Sequence, residues 1–351
     1  MVDNKSVLIV ILNWNGAQDT IDCCSSLSVI NDDVIRREIL IIDNNSSEDD
    51  FKFLKNGFSG LVDNSVGVDG IKSLFFDKFN IIEWSNLQNN VTLLRSSTNH
   101  GFAKGCNIGS VYAELIGHDF IMFLNNDTVV QVDFMGPLIE GMKNADAVIP
   151  QIRYFYDKCL IWNCGGEINR FGKRKYYYAD QSASEVIDKP FRVSFATGCC
   201  LVFKTSYFRS IGKFSENFFF GEEDIDLSLR LLKLKAKLYC IPASVIYHKV
   251  GASLNGNEER ALNKSYIHYL NRLINMKVHL GLFWWLWLIP SVVKVFVNLH
   301  RINKIGFIRA LSFIRCLLSD AIALNSVTKN KFESTINNGF MFSYEEDRQC
   351  E

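Results

Sequence analysis

The chain has 351 residues, which is enough for one large domain or two ordinary ones. Hydrophobic residues make up 48% of it and aromatic residues 13%, so a sizeable core is expected rather than a disordered chain. Lys plus Arg equals Asp plus Glu at 38 each, so the overall charge favours no particular partner, and nucleic acid is not expected as one.

The charges are nevertheless unevenly distributed. Residues 260–319 contain no Asp or Glu but nine Lys and Arg, which leaves 29 of the 38 basic residues against all 38 acidic residues elsewhere. A basic, apolar C-terminal region on an acidic body indicates an anionic surface as partner.

Ten cysteines raise the question of a disulfide framework. The first residues, MVDNKSVLIVILNWNG, contain no basic segment before the apolar run, and NWN cuts that run short, so no secretion signal is expected. Adjacent pairs such as Cys23-Cys24 are a poor arrangement for zinc, and no CxxC pair is present. We therefore expect reduced, mostly buried thiols in a cytosolic protein.

Apolar runs that end in polar turns recur through the first third of the chain. Val7 to Leu12 is typical of a buried parallel strand and leads into NWNG, after which Thr20 to Ile30 has helical spacing. Glu38 to Ile42 repeats the strand pattern and ends in DNNSS. Val91 to Leu94 is a shorter strand that ends in RSSTNHGFAKGCNIG, and Cys106 to Ile116 is predicted to be helical.

The next strand begins FIMFLNNDTVV at residues 120–130, where five apolar residues run into two amides and a carboxylate. Alternating strands and helices predict an α/β fold with a doubly wound, mostly parallel sheet and helices on both faces. Each polar cluster alone could be an ordinary turn. Ligands bind at the carboxyl ends of the strands in such sheets, so four clusters at one edge together predict a site.

Other segments are less regular. Phe51 to Asn90 interrupts the alternation and is interpreted as an excursion, and Arg170 to Pro190 is predicted to be loop or edge strand. A helix is predicted after Glu222 from closely spaced apolar residues. The last residues, about 25, are polar, and disorder is expected there.

Acids are concentrated in FFFGEEDIDL at residues 218–227. On helix geometry Glu223 and Asp226 share a face, whereas Asp224 points elsewhere. Acids at a helix start stabilise it through the dipole by about 0.3–1 kcal/mol each. The dipole accounts for one or two acids at a helix start, but less well for four acids at residues 222–226 that follow an aromatic strip at residues 218–220.

The ordered motifs LIVILNWNG, ILIIDNNSSED, NHGFAKGCNIG and FLNNDTVV resemble the inverting family 2 glycosyltransferases with a GT-A fold. The rhamnosyltransferase-like enzymes of bacterial polysaccharide synthesis, such as O-antigen or capsule, are the subgroup most similar in appearance. ATGCCLVFKTSYFRSIGKFSENFFFGEEDIDLSLRL, IYHKVGAS and YLNRLINMKVH continue the match in order. The resemblance covers roughly residues 5–280, and the set is specific as a whole.

This resemblance implies that the strand-end clusters bind a nucleotide sugar. Asp43 can accept a hydrogen bond from a base imide or a ribose hydroxyl, and the glycines of residues 101–109 allow close backbone approach. Lys104 is either a phosphate ligand or a solvated surface charge. The predicted donor-binding residues are Asn13, Asn15, Asp43, Asn99, Gly101, Lys104, Asn107, Asn125 and Asn126.

By the same resemblance, Asn125-Asn126-Asp127 occupies the place of the DxD motif, which binds a divalent cation that holds the diphosphate. Asn125 replaces the first acid, so Asp127 is the one carboxylate. Hard cations prefer oxygen ligands, so Mg²⁺ or Mn²⁺ fits better than zinc. His248 is either a structural histidine or, as the family pattern implies, a second metal ligand.

Glu223-Asp224 corresponds to the ED motif of the family, which implies that both are catalytic and that Asp224 is the base. It would take the proton from an acceptor hydroxyl as that oxygen attacks the anomeric carbon, with inversion and without an enzyme nucleophile. Trp162 and Asn163 fit the segment that often borders the acceptor.

Val278 to Val293 is an uncharged, Trp-rich stretch of 16 residues. It falls short of the about 20 residues that span a bilayer, and Pro290 and Lys294 interrupt it. Flanking cations and tryptophans suit anionic headgroups and the membrane interface. We expect an interfacial helical anchor, peripheral on the inner face of the cell membrane; the alternative is a core helix of a C-terminal subdomain.

These patterns predict a GT-A domain at 1–277, divided at about residue 130 into nucleotide-sugar-binding and acceptor-binding halves. A helical membrane-associating extension follows at 278–325, and a polar tail at 326–351. The expected activity is transfer of one hexose or rhamnose-like sugar from a UDP- or dTDP-sugar to a saccharide acceptor that is lipid-linked. Two alternatives stay open: a nucleotidyltransferase and a non-catalytic carbohydrate-binding or scaffold protein.

Overall fold

The computed structural model describes residues 5–30, 35–58, 69–88, 90–250, 258–302 and 304–341. A mixed sheet lies between two layers of helices, so the predicted α/β class is confirmed. The strands are β1 (Lys5–Asn13), β2 (Ile35–Asp43), β3 (Ile81–Leu87), β4 (Val91–Ser96), β5 (Phe120–Leu124), β6 (Thr128–Val130), β7 (Ala147–Tyr154), β8 (Ile161–Asn163), β9 (Gly166–Ile168), β10 (Arg174–Tyr176), β11 (Phe191–Val193), β12 (Cys200–Lys204) and β13 (Leu238–His248). The α-helices are α1 (Ala17–Ser28), α2 (Glu48–Asn56), α3 (Asp69–Phe79), α4 (Gly101–Ile116), α5 (Met135–Gly141), α6 (Thr205–Ser210), α7 (Glu223–Lys233), α8 (Glu258–Leu280), α9 (Trp284–Val297), α10 (Phe307–Ala323) and α11 (Lys329–Asn338).

The main sheet has the order β11-β13-β7-β12-β5-β1-β2-β4-β3. The neighbours β5, β1, β2 and β4 pair in parallel, as the sequence predicts, whereas β12 and β3 run antiparallel to their neighbours. Asn13 is in register with Asp43, and Asp43 with Arg95. The polar ends of the parallel strands therefore meet at one edge.

The two faces of the parallel core are both apolar. Alternate residues of β1 pack on opposite layers, with Ile9 facing α1 and α5 and Val10 facing α4. Burial on both faces explains why these strands read as unbroken apolar runs. Nine cysteines fall within the described residues, where none forms a disulfide and all but Cys159 are buried.

Helix α4 begins at Gly101, five residues before the predicted start. A Cβ built on Gly105 would lie 2.9 Å from Leu12, and one on Gly109 would lie 2.5 Å from Val10. These glycines let the helix pack closely on β1, which is a structural reason for glycine at both positions; the predicted approach of a nucleotide to residues 101–109 stays a prediction. Tertiary packing here outweighs the low helix propensity of glycine, about 1 kcal/mol per residue.

The two irregular segments contain regular structure. The predicted excursion at 51–90 holds most of α2, all of α3 and the edge strand β3, while residues 59–68 and 89 lie outside the described part. Within 170–190, β10 pairs with β9, and a short 3-10 helix follows at Ala183–Glu185.

Helices α8 to α11 share a third apolar core with α7, through residues such as Ile225 and Leu229. The predicted domain boundary at residue 277 lies inside α8, so the extension is continuous with the preceding domain. Helix α11 lies in the predicted polar tail and contributes Phe332 and Ile336 to this core. The expected disorder is therefore wrong for 329–338; residues 342–351 lie outside the described part.

Candidate active site

Asn13 and Asp43, the last residues of β1 and β2, are both fully buried at 0% exposure. Asn13 Nδ2 donates to Asp43 Oδ1 (2.9 Å), Ser46 Oγ (3.1 Å) and Asp50 Oδ2 (3.0 Å). Burial raises the pKa of Asp43, against hydrogen bonds from Ser46 and Asn13 that lower it. The pair orders the turn after β2, and neither side chain is exposed to solvent, so the predicted donor contact of both stays a prediction.

Asn15, by contrast, is exposed and adopts a left-handed conformation with φ of 52°. Its backbone N–H donates to Ser46 Oγ (2.9 Å), and its Oδ1 accepts from the N–H of Ser47 (2.9 Å). It borders a shallow depression that Gly16, Asp19 and other residues of the same edge also line. Asn15 is thus accessible to a ligand at the carboxyl edge.

The turn after β2 is tied to the start of α4. Asn44 Nδ2 donates to Asn99 Oδ1 (3.0 Å) and to the carbonyl of Gly101 (3.1 Å). Gly101 has a φ of +75°, and a Cβ there would lie 2.0 Å from the carbonyl oxygen of Phe219. Gly101 is therefore required where this loop meets the aromatic strip that precedes the acids.

Lys104 and Asn107, the two other predicted donor-binding residues of α4, have different surroundings in the structure. Lys104 lies half-buried on the first turn of α4, near the site edge. Asn107 donates to the carbonyl of Phe214 and to Glu216 Oε1, both at 2.9 Å, and accepts from the N–H of Phe214 at 3.0 Å. Asn107 lies about 9 Å along the helix from Gly101, so it ties α4 to the loop at 214–216 rather than facing the donor edge.

The trio after β5 is only partly directed outward. The N–H of Asn125 donates to the carbonyl of Cys199 (2.9 Å), which extends the pairing of β5 with β12. Asn126 Nδ2 donates to Thr20 Oγ1 (3.0 Å) and so fastens this turn to α1. All three residues are half-buried, and the side chain of Asp127 lies beside the other predicted metal ligand.

That ligand is His248, whose Nε2 lies 3.1 Å from the Asp127 carboxylate. His248 is 8% exposed, and the ring of Trp162 packs edge-on against it with centroids 4.4 Å apart. The Nδ1 atom of His248 is buried without a hydrogen-bond partner among the described residues. The structure therefore brings together both predicted metal ligands and orients Nε2 toward Asp127.

A divalent cation fits this pair. Two adjacent ligands of an octahedral ion at about 2.1 Å lie about 3 Å apart, close to the 3.1 Å observed here. Within the described ranges, no group of three or more His, Cys, Asp or Glu side chains could hold a metal. Further ligands would come from a diphosphate and water, which is the usual coordination of Mg²⁺.

The acidic segment forms the first turn of α7. Burial, with the charges of Asp224 and Glu222, raises the pKa of Glu223. Burial and the charge of Glu222 raise the pKa of Asp224, against Arg174 and the backbone N–H groups of Ile225 and Gly198, which lower it. A carboxyl group whose pKa lies above its usual range is suited to act as a base near neutral pH.

Asp226 has a different environment. Burial raises its pKa, but hydrogen bonds from His279 (2.9 Å) and Arg230 (2.8 Å) outweigh burial, so the pKa of Asp226 is lowered. This carboxylate is a structural anion between α7 and α8. The predicted shared face of Glu223 and Asp226 is consistent with the burial of both.

Residues 198 and 199 lie between the acids of α7 and the turn after β5 that carries Asp127. The backbone N–H of Gly198 lowers the pKa of Asp224, and the next residue, Cys199, accepts a hydrogen bond from the N–H of Asn125. The two residues that precede β12 thus interact with both segments. The sequence could not predict this connection, because it depends on the antiparallel strand β12 inserted beside β5.

Comparison with known proteins gives a family match over part of the chain. The sequence model of Glycosyl transferase family 2 matches residues 78–212, a stretch that includes Gly101 and Asp127 but ends before Asp224 and His248. No curated protein sequence matches the chain.

Solved structures resemble the whole chain. A crystal structure of GalNAc-T7 with UDP, GalNAc and Mn²⁺ superposes with a TM-score of 0.56 at 15% identity, covering 97% of this chain. The chain spans 59% of the length of that structure. The chain has a GT-A-type fold.

Two further structures are similar at lower scores. S. aureus TarS 1–349 has a TM-score of 0.48 at 11% identity, covering 99% of this chain and 92% of that one. The mannosyltransferase PcManGT from Pyrobaculum calidifontis, in complex with GDP-Man and Mn²⁺, has 0.47 at 12% identity, covering 97% and 86%. The fold assignment rests on the first structure together with the family match.

Proposed function

We propose that the protein is an inverting glycosyltransferase that moves one sugar from a UDP- or dTDP-sugar to a saccharide acceptor. The observation that carries this proposal is the approach of Asp127 to His248, 3.1 Å apart, at a site connected to Asp224 through residues 198–199. A cation for the diphosphate and a base for the acceptor are the two groups that such a transfer needs. The family match over residues 78–212 supports the same activity.

Asp127 and His248 would hold the divalent cation, which when bound neutralises the diphosphate and stabilises the charge on the leaving group. Mn²⁺ in the structure of GalNAc-T7 supports the proposal of a divalent cation. Asn15, Asn99, Gly101 and Lys104 are the residues proposed to contact the nucleotide. Asn13 and Asp43 order the turn that borders it.

Asp224 removes the proton from the acceptor hydroxyl. The freed oxygen bonds to the anomeric carbon as the bond from that carbon to the diphosphate breaks, and the diphosphate leaves with the electron pair. One displacement inverts the anomeric configuration. Burial raises the pKa of Glu223 to about 8 and that of Asp224 to about 6, so near neutral pH Glu223 keeps its proton and Asp224 carries the charge.

The proposed acceptor is lipid-linked, as in O-antigen or capsule synthesis, and the proposed location is the inner face of the cell membrane. By length and composition the helical stretch Glu258–Arg301 could cross a membrane, and 17% of its most apolar window is buried. Large apolar side chains of two neighbouring helical segments are exposed. They are Leu282, Phe283, Trp285, Leu286, Ile289, Val293, Phe307, Ile308 and Leu311, called the apolar face below.

Cations flank the apolar face at Lys294, Arg301 and Lys304. Exposed side chains on one side and buried ones such as Leu288 and Val295 on the other favour a helix that lies on a membrane. This arrangement supports the interfacial anchor over a core helix. Cations beside exposed apolar side chains suit the anionic headgroups of a membrane surface.

Thermal stabilisation by nucleotide diphosphates, with and without Mn²⁺, tests the donor site directly, because a ligand that binds only the folded state must stabilise it. UDP or dTDP is expected to raise the Tm of the full chain in the presence of Mn²⁺. An equal rise of Tm with and without Mn²⁺ would exclude Asp127 and His248 as metal ligands. A folded protein that no nucleotide stabilises would reject the transferase.

A further inference from the structure

Polar side chains of α8 contact the acidic segment from outside the proposed reaction centre. They lie in the motif YLNRLINMKVH, for which the transfer reaction itself needs no residue. Asn271 Nδ2 donates to the carbonyl of Phe220 (2.9 Å), and Asn275 Nδ2 donates to Glu222 Oε2 (3.0 Å). Helix α8 therefore forms hydrogen bonds with the residues on both sides of Gly221.

Glu222 is the residue that most needs such support. Its φ of 69° lies in the left-handed region, which residues with a Cβ adopt rarely. Its side chain is 4% exposed, and Oε2 lies 3.3 Å from Arg272 Nη1 as well as 3.0 Å from Asn275 Nδ2. Two donors from one helix thus hold a conformation that the backbone alone disfavours.

Arg272 also joins this helix to the turn between β9 and β10. Its Nη2 donates to the carbonyl of Gly172. A Cβ on Gly172 would lie 2.1 Å from that nitrogen, so the glycine leaves the space that the guanidinium fills. Arg174, two residues later, faces Asp224, so Arg272 lies between the two segments that set the surroundings of this carboxylate.

We infer that Asn275 and Arg272 are positioning residues for Asp224. By holding Glu222 in its left-handed conformation, they set where α7 begins and so direct Asp224 toward Gly198. Neither residue touches the proposed reacting atoms. The inference rests on the proposed function, because it assigns Asp224 a task that requires accurate placement.

The charges around Asp224 make the pH dependence of the rate a suitable readout, because a change that affected only stability would leave it unaltered. Glu222, Glu223 and Arg174 face this carboxyl group, and Arg272 lies against Glu222. Burial and then Glu222 raise the pKa of Asp224. Release of Glu222 toward solvent would lower that pKa, so the acid limb of the rate profile should move to lower pH.

Asn263 offers a matched control on the same helix. It is also a buried asparagine, 3% exposed, but its Nδ2 lies beside Gly339 after α11, 4.0 Å from a Cβ built there. The two positions are about 18 Å apart along α8. Asn275→Leu and Asn263→Leu therefore make the same chemical change in the same helix, near and far from the acidic segment.

Two measurements on the full chain decide the inference. The first is nucleotide release from a panel of UDP- and dTDP-sugars across pH, and the second is amide hydrogen exchange of residues 219–226. Asn275→Leu should lower kcat by about 100-fold, leave the donor KM unchanged, shift the acid limb to lower pH and accelerate exchange in that segment. Asn263→Leu should do none of these.

Equal kcat, pH profile and exchange in the two variants would overturn the positioning role. A wild-type protein that releases no nucleotide would instead remove the proposed function, while the exchange comparison would still decide whether Asn275 holds the segment. Arg272→Lys keeps a cation at Glu222 and should recover part of the rate lost in Arg272→Met. Equal losses of rate in Arg272→Lys and Arg272→Met would exclude Arg272 as a positioning residue.

Discussion

Asp127 and His248 are 121 residues apart in sequence, yet their side chains lie 3.1 Å apart at the edge of the sheet. Antiparallel pairing of β6 with β13 makes this contact possible, because it places His248 opposite Thr128. A carboxylate and an imidazole with this spacing are suited to share one divalent cation. Several expected outcomes depend on that arrangement and on the acids connected to it.

Asp127→Ala should abolish the Mn²⁺-dependent part of stabilisation by UDP or dTDP. A ligand at 100 times its Kd stabilises a protein by about 2.7 kcal/mol, so the loss is large enough to read as a Tm difference. Asp157→Ala, at an exposed acid outside the site, is the control and should retain the full effect. Retained metal dependence in Asp127→Ala would exclude this pair as the metal site.

Asp224→Asn should lower kcat by about 100- to 10,000-fold, the range attributed to a general base, while nucleotide binding persists. The replacement is nearly isosteric, so the Tm should confirm that the variant folds. Nucleotide release measures turnover, and thermal shifts with added nucleotide measure binding, so the two assays together separate catalysis from binding. Turnover equal to wild type would exclude Asp224 as the base, whereas nucleotide binding without turnover in either protein would point to the non-catalytic, carbohydrate-binding alternative.

The rate should fall on the acid side at a pH above the usual carboxyl range. Burial and the charge of Glu222 raise the pKa of Asp224, and the base works only when it is deprotonated. Activity is therefore lost as pH falls through the raised value. A pH profile of kcat over KM for the donor checks this, and an acid limb near pH 4 would contradict it.

Glu223→Gln should stabilise the protein at alkaline pH. Burial raises the pKa of Glu223, so its contribution to stability is present below the unfolded pKa and is lost as pH rises through the folded pKa. Removing the titration should raise the free energy of unfolding by more than about 1 kcal/mol at pH 9. The gain should shrink toward pH 5 in denaturant titrations, and a gain independent of pH would refute this explanation.

Gly101→Ala should destabilise the protein more than Gly117→Ala. Both glycines have positive φ, +75° and +84°, which costs a residue with a Cβ about 1–2 kcal/mol. Only at Gly101 would the new Cβ meet another atom, the carbonyl of Phe219 at 2.0 Å, whereas nothing lies within 4 Å at Gly117. Equal losses in denaturant titrations would show that the close approach to Phe219 is not a constraint.

Replacing Trp285, Leu286 and Ile289 together with Ser should release the protein from anionic vesicles. Burying each such side chain contributes about 1.5–3 kcal/mol, so binding should fall at least about 100-fold. The paired control replaces Val132 and Ile187, which are exposed apolar residues elsewhere, with Ser. Flotation with phosphatidylglycerol vesicles gives the comparison, and equal flotation of both variants would rule out the apolar face as an anchor.

The parallel core of this fold and the edge that carries the site follow from the sequence by itself. Unbroken apolar runs identify the strands because a strand buried on both faces has no polar positions until it ends. The strand predicted at Val7 to Leu12 lies within β1, and Glu38 to Ile42 lies within β2. Parallel pairing then brings the polar ends together, as the register of Asn13 with Asp43 demonstrates.

Only the tertiary structure decided which polar side chains reach that edge and which do not. Asn13 and Asp43 are buried against each other, Asn107 is bonded to Phe214, and α8 supplies the hydrogen bonds that hold Glu222. Local periodicity reports whether a segment is helix or strand, but a side chain's partner depends on how distant elements cross. Asn275 and Glu222 are 53 residues apart, and their contact exists because α8 packs against α7.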